Sequence, residues 1–349
     1  MSGKDLADDR TRQGRGSTAT LAEIAREAGV STPTVSKVLN GRTDVAAATR
    51  ERVEELLLRH GYRRRRGQQQ PTPLLDLVFH ELDNAWAVEV IRGVERVAKE
   101  EGLGVVLSES GGYPNPGQTW MDEVLGRRPT GVILVLSGLD EMQRAQLASR
   151  SIPFVVVDPA GNPGEGVPAI GATNWQGGLA ATRHLLDLGH RRIGVIGGPP
   201  QWLCSRARID GYRAALETAG LEYDPELVRS GDFSHETGHA LGLELLGRRH
   251  PPTAVFAGDD LQALGVYQAA RELGLRIPED LSVVGFDDLP LTRWVGPPLT
   301  TVRQPLTEMA EAATRLVLDL ARGREPGATR VDLATSLVIR ESTAPPATA

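Results

Sequence analysis

Apolar positions follow a helical period in residues 19–62. Leu21, Ile24, Ala25 and Ala28 recur at i, i+3, i+4 and i+7, which predicts a short amphipathic helix. Two further apolar groups mark a second and a third helix: Val35, Val38 and Leu39, then Val53, Leu56 and Leu57. The segment therefore predicts a small three-helix domain.

Residues at the helix ends define this domain further. Thr20 and Glu23 have the capping-box spacing. Gly29 suits the turn, Ser31 can cap the second helix, and Pro33 is tolerated in that helix's first turn. The outward polar face of the second helix consists of Thr32, Pro33, Ser36 and Lys37. Together these features predict a helix-turn-helix that enters the major groove of DNA, rather than an ordinary three-helix segment.

Beyond residue 75, short β-rich runs alternate with helical patterns. The predicted strands are 75–79, 104–107, 131–136, 154–157, 192–196, 254–257 and 282–286. The predicted helices are 88–101, 118–126, 140–148, 177–188, 207–219, 237–246 and 261–273. This alternation predicts an α/β body of two doubly wound parallel sheets covered by helices. Since ligands bind beyond the carboxyl ends of such strands, the cleft between the two halves is the expected pocket.

Composition adds a division of charge. The chain has 349 residues, of which 40% are apolar, enough for more than one core. Residues 1–66 hold 14 Lys/Arg against 9 Asp/Glu, and the remainder holds 25 against 36. A basic head on an acidic body suits a DNA-binding module joined to a domain with another task.

Cysteine content and hydropathy predict the compartment. The single cysteine, Cys204, excludes an intramolecular disulfide and fits a reducing cytoplasm. No apolar run reaches the length of a membrane span, and the N-terminus lacks the hydrophobic stretch of a signal peptide. We therefore expect a soluble cytoplasmic protein, associated with the nucleoid through its DNA, with no membrane partner.

A family resemblance extends along almost the whole chain. The string VSTPTVSKVLNG resembles the DNA-reading segment of the lactose-repressor (LacI/GalR) family of bacterial transcription regulators. Further similar strings follow in order: TRERVEELLLRHGY, RPTGVILV, IPFVVVD, GHRRIGVIGGP, RARIDGYRAAL, GDFSHETG, PTAVFAGDDLQALG, LRIPEDLSVVGFDD and PPLTTVRQP. The resemblance implies a repressor whose body has the fold of periplasmic sugar-binding proteins. It also implies that the chain crosses between the two halves near residues 174, 303 and 330.

The chain divides accordingly. The predicted segments are a disordered tail at 1–18, a helix-turn-helix domain at 19–62, a linker at 63–74 and an effector-binding and dimerisation domain at 75–349. The N-subdomain is expected to comprise about 75–173 and 304–329, and the C-subdomain about 174–303 and 330–343.

Polar residues at the predicted strand ends suggest an effector site. Asp158, Asp259 and Asp287 each follow a β-rich run, and Arg208 begins the helix after the GVIGGP strand. The resemblance implies that Arg208 and Asp287 hold the effector. It implies that four further residues line the cleft: Trp86, Asn174, Phe233 and Asp259.

This set of side chains favours a carbohydrate. Carboxylates accept hydrogen bonds from hydroxyls, an arginine donates two at once, and Trp86 offers a flat apolar face to a sugar ring. A mono- or oligosaccharide is the expected effector. A purine-type corepressor stacked on Trp86 is the alternative, and any single strand-end aspartate could instead be a helix cap.

The resemblance also assigns DNA contacts. Thr32, Pro33 and Lys37 are expected to face base edges; lysine can donate to guanine, whereas proline offers only apolar contact. The remaining expected DNA-binding residues of the domain are Thr20, Ser31, Thr34, Ser36 and Asn40, of which the last four are assigned to phosphates. Because one module contacts too little DNA for strong specificity, we expect a homodimer on palindromic double-stranded operator DNA.

The linker departs from the family pattern. Most relatives carry an Ala-Arg pair and a leucine that wedges into the minor groove, whereas this chain has Arg63, Arg64, Arg65 and Arg66 followed by glutamines and prolines. We expect the arginines to neutralise phosphates or enter a narrowed minor groove, rather than form a solvated charge run. Whether a hinge helix forms is left open.

Motifs of catalysis are weak. His235 and His239 fit the H-E-x-x-H pattern of zinc proteases, but Gly238 disfavours that helix and no third ligand follows. Neither a phosphate loop nor a G-x-S-x-G elbow is present. We therefore expect no enzyme, no metal and no cofactor.

A sugar-binding transport component is the alternative from another class. The absence of a secretion signal and the basic head favour the regulator. The C-terminus lacks leucine heptads, which argues against a coiled-coil tetramer.

Overall fold

The N-terminal domain, hereafter the headpiece, consists of three helices. The computed structural model describes residues 19–39, 45–60, 62, 71–82, 85–110 and 115–347. The helices of the headpiece are α1 Leu21–Ala28, α2 Thr32–Leu39 and α3 Ala47–Arg59. Their apolar faces enclose a core that includes Ile24, Val35 and Val53, as the helical periodicity predicts.

The predicted caps of the headpiece are confirmed. Thr20 Oγ1 accepts a hydrogen bond from the Glu23 amide, and the Glu23 carboxylate accepts one from the Thr20 amide at 2.6 Å. Hydrogen bonds from the Thr20 amide and hydroxyl to the Glu23 carboxylate lower the pKa of Glu23. Gly29 ends α1 with φ +68°, a conformation that costs glycine little. Ser31 Oγ accepts from the Thr34 amide at the start of α2.

Residues 71–347, hereafter the body, are built from alternating strands and helices. The strands are β1 Thr72–Phe79, β2 Gly104–Glu109, β3 Pro129–Val135, β4 Phe154–Val157, β5 Ala169–Ala172, β6 Ile193–Gly197, β7 Val228–Ser230, β8 Ala254–Ala257, β9 Ser282–Asp287, β10 Thr300–Arg303, β11 Arg330–Leu333 and β12 Ser336–Val338. The helices are α4 Ala85–Glu100, α5 Gln118–Arg127, α6 Glu141–Ser149, α7 Asn174–Asp187, α8 Leu203–Thr218, α9 His235–Leu246, α10 Asp260–Glu272 and α11 Leu306–Ala321. Two short 3₁₀ turns lie at Pro225–Leu227 and Pro290–Arg293.

The strands form two six-stranded sheets. The first has the order β11-β5-β4-β3-β1-β2, and all of its strand pairs are parallel. The second has the order β12-β10-β9-β8-β6-β7. Its pairs are parallel except that β12 runs antiparallel to β10 at the edge. The prediction of two doubly wound parallel sheets is confirmed, apart from this antiparallel strand at the edge of the second sheet.

Helices cover both faces of each sheet, which confirms the doubly wound architecture. On the first sheet, α4 and α11 pack on one face and α5 and α6 on the other. On the second, α7 and α8 pack on one face and α9 and α10 on the other. The described helices include none long and apolar enough to cross a membrane.

The chain crosses three times between the two sheets. The first crossing lies between β5 and α7, and the second between β10 and α11, close to the predicted positions 174 and 303. The third was expected near 330, but β11 still pairs with β5 in the first sheet and β12 pairs in the second. Residues 330–333 therefore belong to the first half, and the crossing lies at 334–335. The pairing of β11 with β5 thus keeps four more residues in the first half than the family resemblance implies.

The first body strand also begins earlier than expected. β1 starts at Thr72, inside the predicted linker, because Thr72 pairs with Pro129 across a register shift. The other proposed domain boundaries remain predictions.

Candidate functional site

A cavity of about 470 Å³ lies between the two halves, at the carboxyl ends of the strands of both sheets. Its principal polar and aromatic lining residues are His80, Glu81, Trp86, Asp158, Trp202, Cys204, Arg208, Asp232, Phe233, His235, Glu236, Asp259 and Asp287. Six of the seven residues expected around an effector lie on this surface, and their role in binding remains a prediction. The position at the strand ends is the one that open α/β sheets use for ligands.

Three aspartates form the inner wall of the cavity. Asp158 follows β4, Asp259 follows β8, and Asp287 ends β9. Each side chain is buried. Asp158 and Asp287 have φ of +47° and +108°, a region that non-glycine residues rarely adopt and that concentrates at functional sites. The bent backbone at the strand ends aims these carboxylates into the cleft.

Burial dominates the electrostatics of this wall. It raises the pKa of Asp158 and, more strongly, that of Asp259. It raises the pKa of Asp287 to about 7, although the positive charge of Arg208 opposes the shift. Asp287 Oδ1 has no hydrogen-bond partner among the described residues, and it lies 3.6 Å from Arg208 Nη2. The wall therefore presents at least one acceptor that the protein itself does not satisfy.

Arg208 is the cation of the site, and its donors are directed at protein atoms. Nε donates to Asn174 Oδ1 at 2.8 Å, Nη1 to the Gly258 carbonyl at 2.6 Å, and Nη2 to Gln304 Oε1 at 2.9 Å. The guanidinium carbon lies 3.7 Å from the centroid of the Phe286 ring. Three of its five N–H groups thus bond protein acceptors, and one N–H on each of Nη1 and Nη2 is left; that Arg208 donates two hydrogen bonds to a ligand stays a prediction.

Asn174 positions Arg208 from outside the cavity. It is buried at the start of α7 and holds Arg208 rather than lining the cavity. The two helices that carry these residues approach closely. A Cβ added at Gly178 of α7 would lie 2.1 Å from the Arg208 carbonyl oxygen. The glycine thus sets the distance from α7 to α8 and, through it, the position of the guanidinium.

Gln304 links the two halves and was not predicted. It lies on the second crossing, directly after β10, and is buried. Its amide oxygen accepts from Arg208, and its amide nitrogen donates to Asp158 Oδ2 at 3.3 Å. The strand before it, β10, is not among the predicted strands, so the strand-end rule that selected the aspartates does not reach this glutamine.

Aromatic rings line one side of the cleft. Trp202 precedes α8, and its ring lies 5.8 Å from that of Phe233 and 5.3 Å from that of His80 in the opposite half. Gly198 leaves room for this packing, because a Cβ there would lie 2.0 Å from the Phe233 ring. The sequence prediction included Trp86 and Phe233 but missed Trp202 and His80. His80 follows β1 and was detectable by the strand-end rule.

The H-E-x-x-H segment serves a structural purpose. Ser234 Oγ caps α9 by accepting from the Thr237 amide. His239 Nε2 lies 3.1 Å from a carboxylate oxygen of Glu272 on α10. In the described part of the chain, His, Cys, Asp and Glu side chains form no cluster suited to a metal ion.

The expected DNA-reading face lies on the exposed side of α2. Thr32, Pro33 and Lys37 are exposed, whereas Ser36 and Thr34 are half-buried. Ser31 and Thr20 are exposed but also cap their helices. Asn40 and Arg63 to Arg66 lie outside the described residues.

The headpiece contacts the body through α6. Arg150, after α6, donates from Nη2 to the carbonyl of Val38 in α2 and from Nη1 to the carbonyl of Leu125 in α5, both at 2.9 Å. Gln146 of α6 donates to Glu54 of α3 at 3.1 Å, and burial raises the pKa of Glu54. No local pattern in the sequence signals these contacts between distant segments.

Comparison with known proteins agrees with this architecture. Residues 20–65 match the family described as bacterial regulatory proteins, lacI family. Residues 182–343 match the periplasmic binding protein-like domain. The chain is 33% identical over 329 residues to the HTH-type transcriptional repressor CytR of Escherichia coli (strain K12), covering 93% of this chain and 96% of that one.

Solved structures of the same kind share the whole fold. A complex of the transcriptional regulator CelR with cellobiose has a TM-score of 0.72 and 35% identity, covering 93% of this chain and 99% of that one. The lac repressor dimer bound to operator and the anti-inducer ONPF has a TM-score of 0.68 and 28% identity, with coverage of 93% and 99%. The matched proteins are transcriptional regulators rather than enzymes or transport components. This chain belongs to the lacI family of bacterial regulatory proteins, as a DNA-binding transcriptional repressor with a ligand-binding effector domain.

Proposed function

We propose that a small sugar bound in the cleft controls the affinity of this repressor for its operator. The observation that carries the proposal is the inner wall of the cavity, where the carboxyl groups of Asp158, Asp259 and Asp287 lie together. Such acceptors pair with the hydroxyls of a sugar, and the rings of Trp86 and Trp202 offer flat apolar faces to its C–H surfaces. The cellobiose complex of the similar regulator CelR supports the assignment.

The operator-binding unit is a homodimer on a palindromic site. Lac repressor, which has this fold, binds its operator as a dimer. The exposed large apolar side chains of the body include Val88 on α4, Leu107 on the edge strand β2, and Trp294, which is 80% exposed. Glu89 of α4 and Trp294 line one surface cavity, which places these elements on adjoining parts of the surface. A second copy would cover such a surface.

The recognition helix α2 reads the operator with Thr32, Pro33 and Lys37, while Thr20, Ser31, Thr34, Ser36 and Asn40 complete the DNA-binding surface. Arg63 to Arg66 add phosphate or minor-groove contacts in place of the leucine wedge. This assignment rests on the exposed face of α2 and on the match over residues 20–65.

Thermal shift of the full-length chain against mono- and oligosaccharides tests the effector. A binding sugar should raise the melting temperature and change operator binding in a mobility-shift assay. Hits are repeated with Arg208→Ala and Asp287→Ala, which should abolish most of the shift, and with Glu217→Gln on the exposed face of α8 as a control. If the two cleft variants keep the full shift, the proposed site is wrong.

A purine-type effector is the second candidate, because the same aromatic faces would stack a base. Nucleosides and purine bases therefore belong in the same screen. A response to them alone would replace the sugar.

A further inference from the structure

The inner wall of the cleft has an imbalance of charge. Asp158, Asp259 and Asp287 are all buried around the cavity. Among the described residues that line it, Arg208 is the sole lysine or arginine. Burial and mutual repulsion both raise the pKa values of these carboxyl groups. The charge of Asp287 raises the pKa of Asp259, and the charge of Asp158 raises the pKa of Asp287. Another negative charge placed here would meet the same repulsion in a poorly screened site.

Arg208 offers a bound anion little. Its Nε and both Nη atoms already donate to Asn174, Gly258 and Gln304. The ring of Phe286 covers one face of the guanidinium. Three of its five N–H groups are thus taken up by protein acceptors, and the Asp287 carboxyl lies 3.6 Å from Nη2, so an anionic group would compete with this carboxyl for the donors that are left.

The unsatisfied atom of the wall is an acceptor. Asp287 lines the cavity and is about 95% buried, and its Oδ1, which is fully buried, has no hydrogen-bond partner among the described residues. Arg208 Nη2, at 3.6 Å, is beyond hydrogen-bond distance. The carboxyl groups of this wall offer oxygen acceptors to a ligand hydroxyl or N–H, whereas a phosphate or carboxylate placed against them adds a further negative charge to a buried, poorly screened site.

The mouth of the cavity, like its inner wall, has an excess of acidic side chains. Glu81, Asp232 and Glu236 lie on its exposed part. Among the described residues, the side chains at the mouth that can carry a positive charge are the histidines His80 and His235. The rim therefore repels an approaching anion as well.

We infer that the cleft selects uncharged ligands rich in hydrogen-bond donors and rejects the phosphorylated or carboxylated forms of the same molecules. The inference rests on the proposed effector site and specifies its ligand class. An anion-specific regulator would need free lysines or arginines at the cavity wall, and the described lining supplies a single arginine that is already engaged.

Matched pairs of compounds test the inference on the full-length protein. The pairs are D-glucose with glucose 6-phosphate, cellobiose with cellobionate, ribose with ribose 5-phosphate, and adenosine with its 5′-monophosphate. Thermal shift identifies binders, and calorimetric titration gives both dissociation constants of each pair that responds. We expect the neutral member to bind about 100-fold more tightly than its anionic partner, or more.

Each outcome decides one of the two proposals. An anionic sugar that binds as tightly as its neutral partner overturns the charge selection and leaves the sugar assignment standing. Binding of adenosine but not of its monophosphate, with no response to any sugar, supports the charge selection and overturns the sugar. If no neutral member of any pair binds, the inference is wrong.

A charge-reduced rim provides a second test. Glu81→Gln/Glu236→Gln should weaken the discrimination between the members of a responding pair by about 3- to 10-fold, because two repelling charges are removed. The control Glu217→Gln/Glu279→Gln removes two exposed charges outside the cavity lining and should leave the ratio unchanged. Equal effects of the two double variants would show that the selection does not arise at the cleft.

Discussion

Lys37 is the one cationic side chain among the residues assigned to base edges. It is exposed on α2, where an ammonium group can donate to guanine O6 or N7, a contact worth about 1–3 kcal/mol of discrimination. We expect Lys37→Ala to relax the preference at one base pair in each half-site. Competition binding against operators with single base-pair changes measures this. Lys99→Ala, on an exposed position of α4, is the control, and uniform weakening on all sequences would instead make Lys37 a phosphate contact.

Asp287 makes stability depend on pH. In the folded chain its pKa is about 7, against an ordinary value of 3.8. The groups that face it are Arg208, Asp158, Asp259 and Asp260. Between these two pH values the folded state keeps a proton that the unfolded state has lost. The contribution of Asp287 to the free energy of unfolding therefore falls as the pH rises from 3.8 to about 7. Above about pH 7 this contribution stays at its lowest value.

Replacing this carboxyl removes that fall in the free energy of unfolding. We expect Asp287→Asn to gain about 1–2 kcal/mol over the unmodified chain between pH 5 and pH 7, since one pKa unit corresponds to about 1.4 kcal/mol. Unfolding followed at pH 5, 6 and 7 measures the difference. Asp280→Asn is the matched control: the pKa of Asp280 is lowered to about 2 by Arg276, so its contribution is constant above pH 5. Parallel pH profiles for Asp287→Asn and the unmodified chain would contradict the assignment.

At the scale of elements, the close contact of α7 and α8 controls the site. A Cβ at Gly178 would lie 2.1 Å from the Arg208 carbonyl oxygen, so that the helices must separate. We expect Gly178→Ala to cost about 1–3 kcal/mol of stability through overpacking and to abolish the ligand-induced thermal shift, because Arg208 moves with α8.

A second helical glycine provides the control for that prediction. Gly126 lies inside α5, and a Cβ there meets nothing within 4 Å. Gly126→Ala should therefore be neutral or stabilise the chain by up to about 1 kcal/mol through helix propensity. If Gly178→Ala also keeps its stability and its ligand response, the tight helix contact is not what positions Arg208.

Elements with a long hydrophobic period could be predicted from the sequence. The apolar stripe of α1 and the runs before Asp158, Asp259 and Asp287 encode their structure locally, and strand ends point to the cleft. β5, β7, β10, β11 and β12 are absent from the prediction, because three or four residues carry too little periodicity, and the prediction also lacks α11. The partners of Arg208 could not be predicted, since Asn174, Gly258 and Gln304 are distant in the sequence and come together only in the tertiary structure. The contact of Arg150 with Val38 is equally non-local.

At the scale of the whole molecule, two of the three crossings are tied to each other. Thr335 donates to Thr173 from both its amide and its hydroxyl, at 2.9 and 3.1 Å. The remaining crossing carries Gln304, which bonds Asp158 in one half and Arg208 in the other. A ligand that contacts those two residues therefore acts on the side chain that connects the halves. Through such a connection, effector and operator can change each other's affinity by the same factor.

Replacing Gln304 by methionine tests this connection. Gln304→Met keeps the approximate volume but removes both hydrogen bonds, so Asp158 and Arg208 lose a buried partner at a cost of about 1–3 kcal/mol in stability. Because the link between the halves is lost, we expect the effector-induced change in operator affinity to fall at least several-fold, while operator binding without effector changes less. Operator titrations by fluorescence anisotropy, with and without a binding compound from the screen, measure both quantities.

The matched control for Gln304→Met is Gln268→Met. The amide nitrogen of Gln268 donates to Glu272 on the same helix, so its loss leaves the junction between the halves intact and should preserve the coupling. A general loss of packing would lower the stability of Gln304→Met without changing the ratio of operator affinities with and without effector. An unchanged ratio in Gln304→Met would therefore show that the crossing at 304 does not transmit the signal, and it would direct attention to the paired segments at Thr173 and Thr335, where the remaining connections between the halves run.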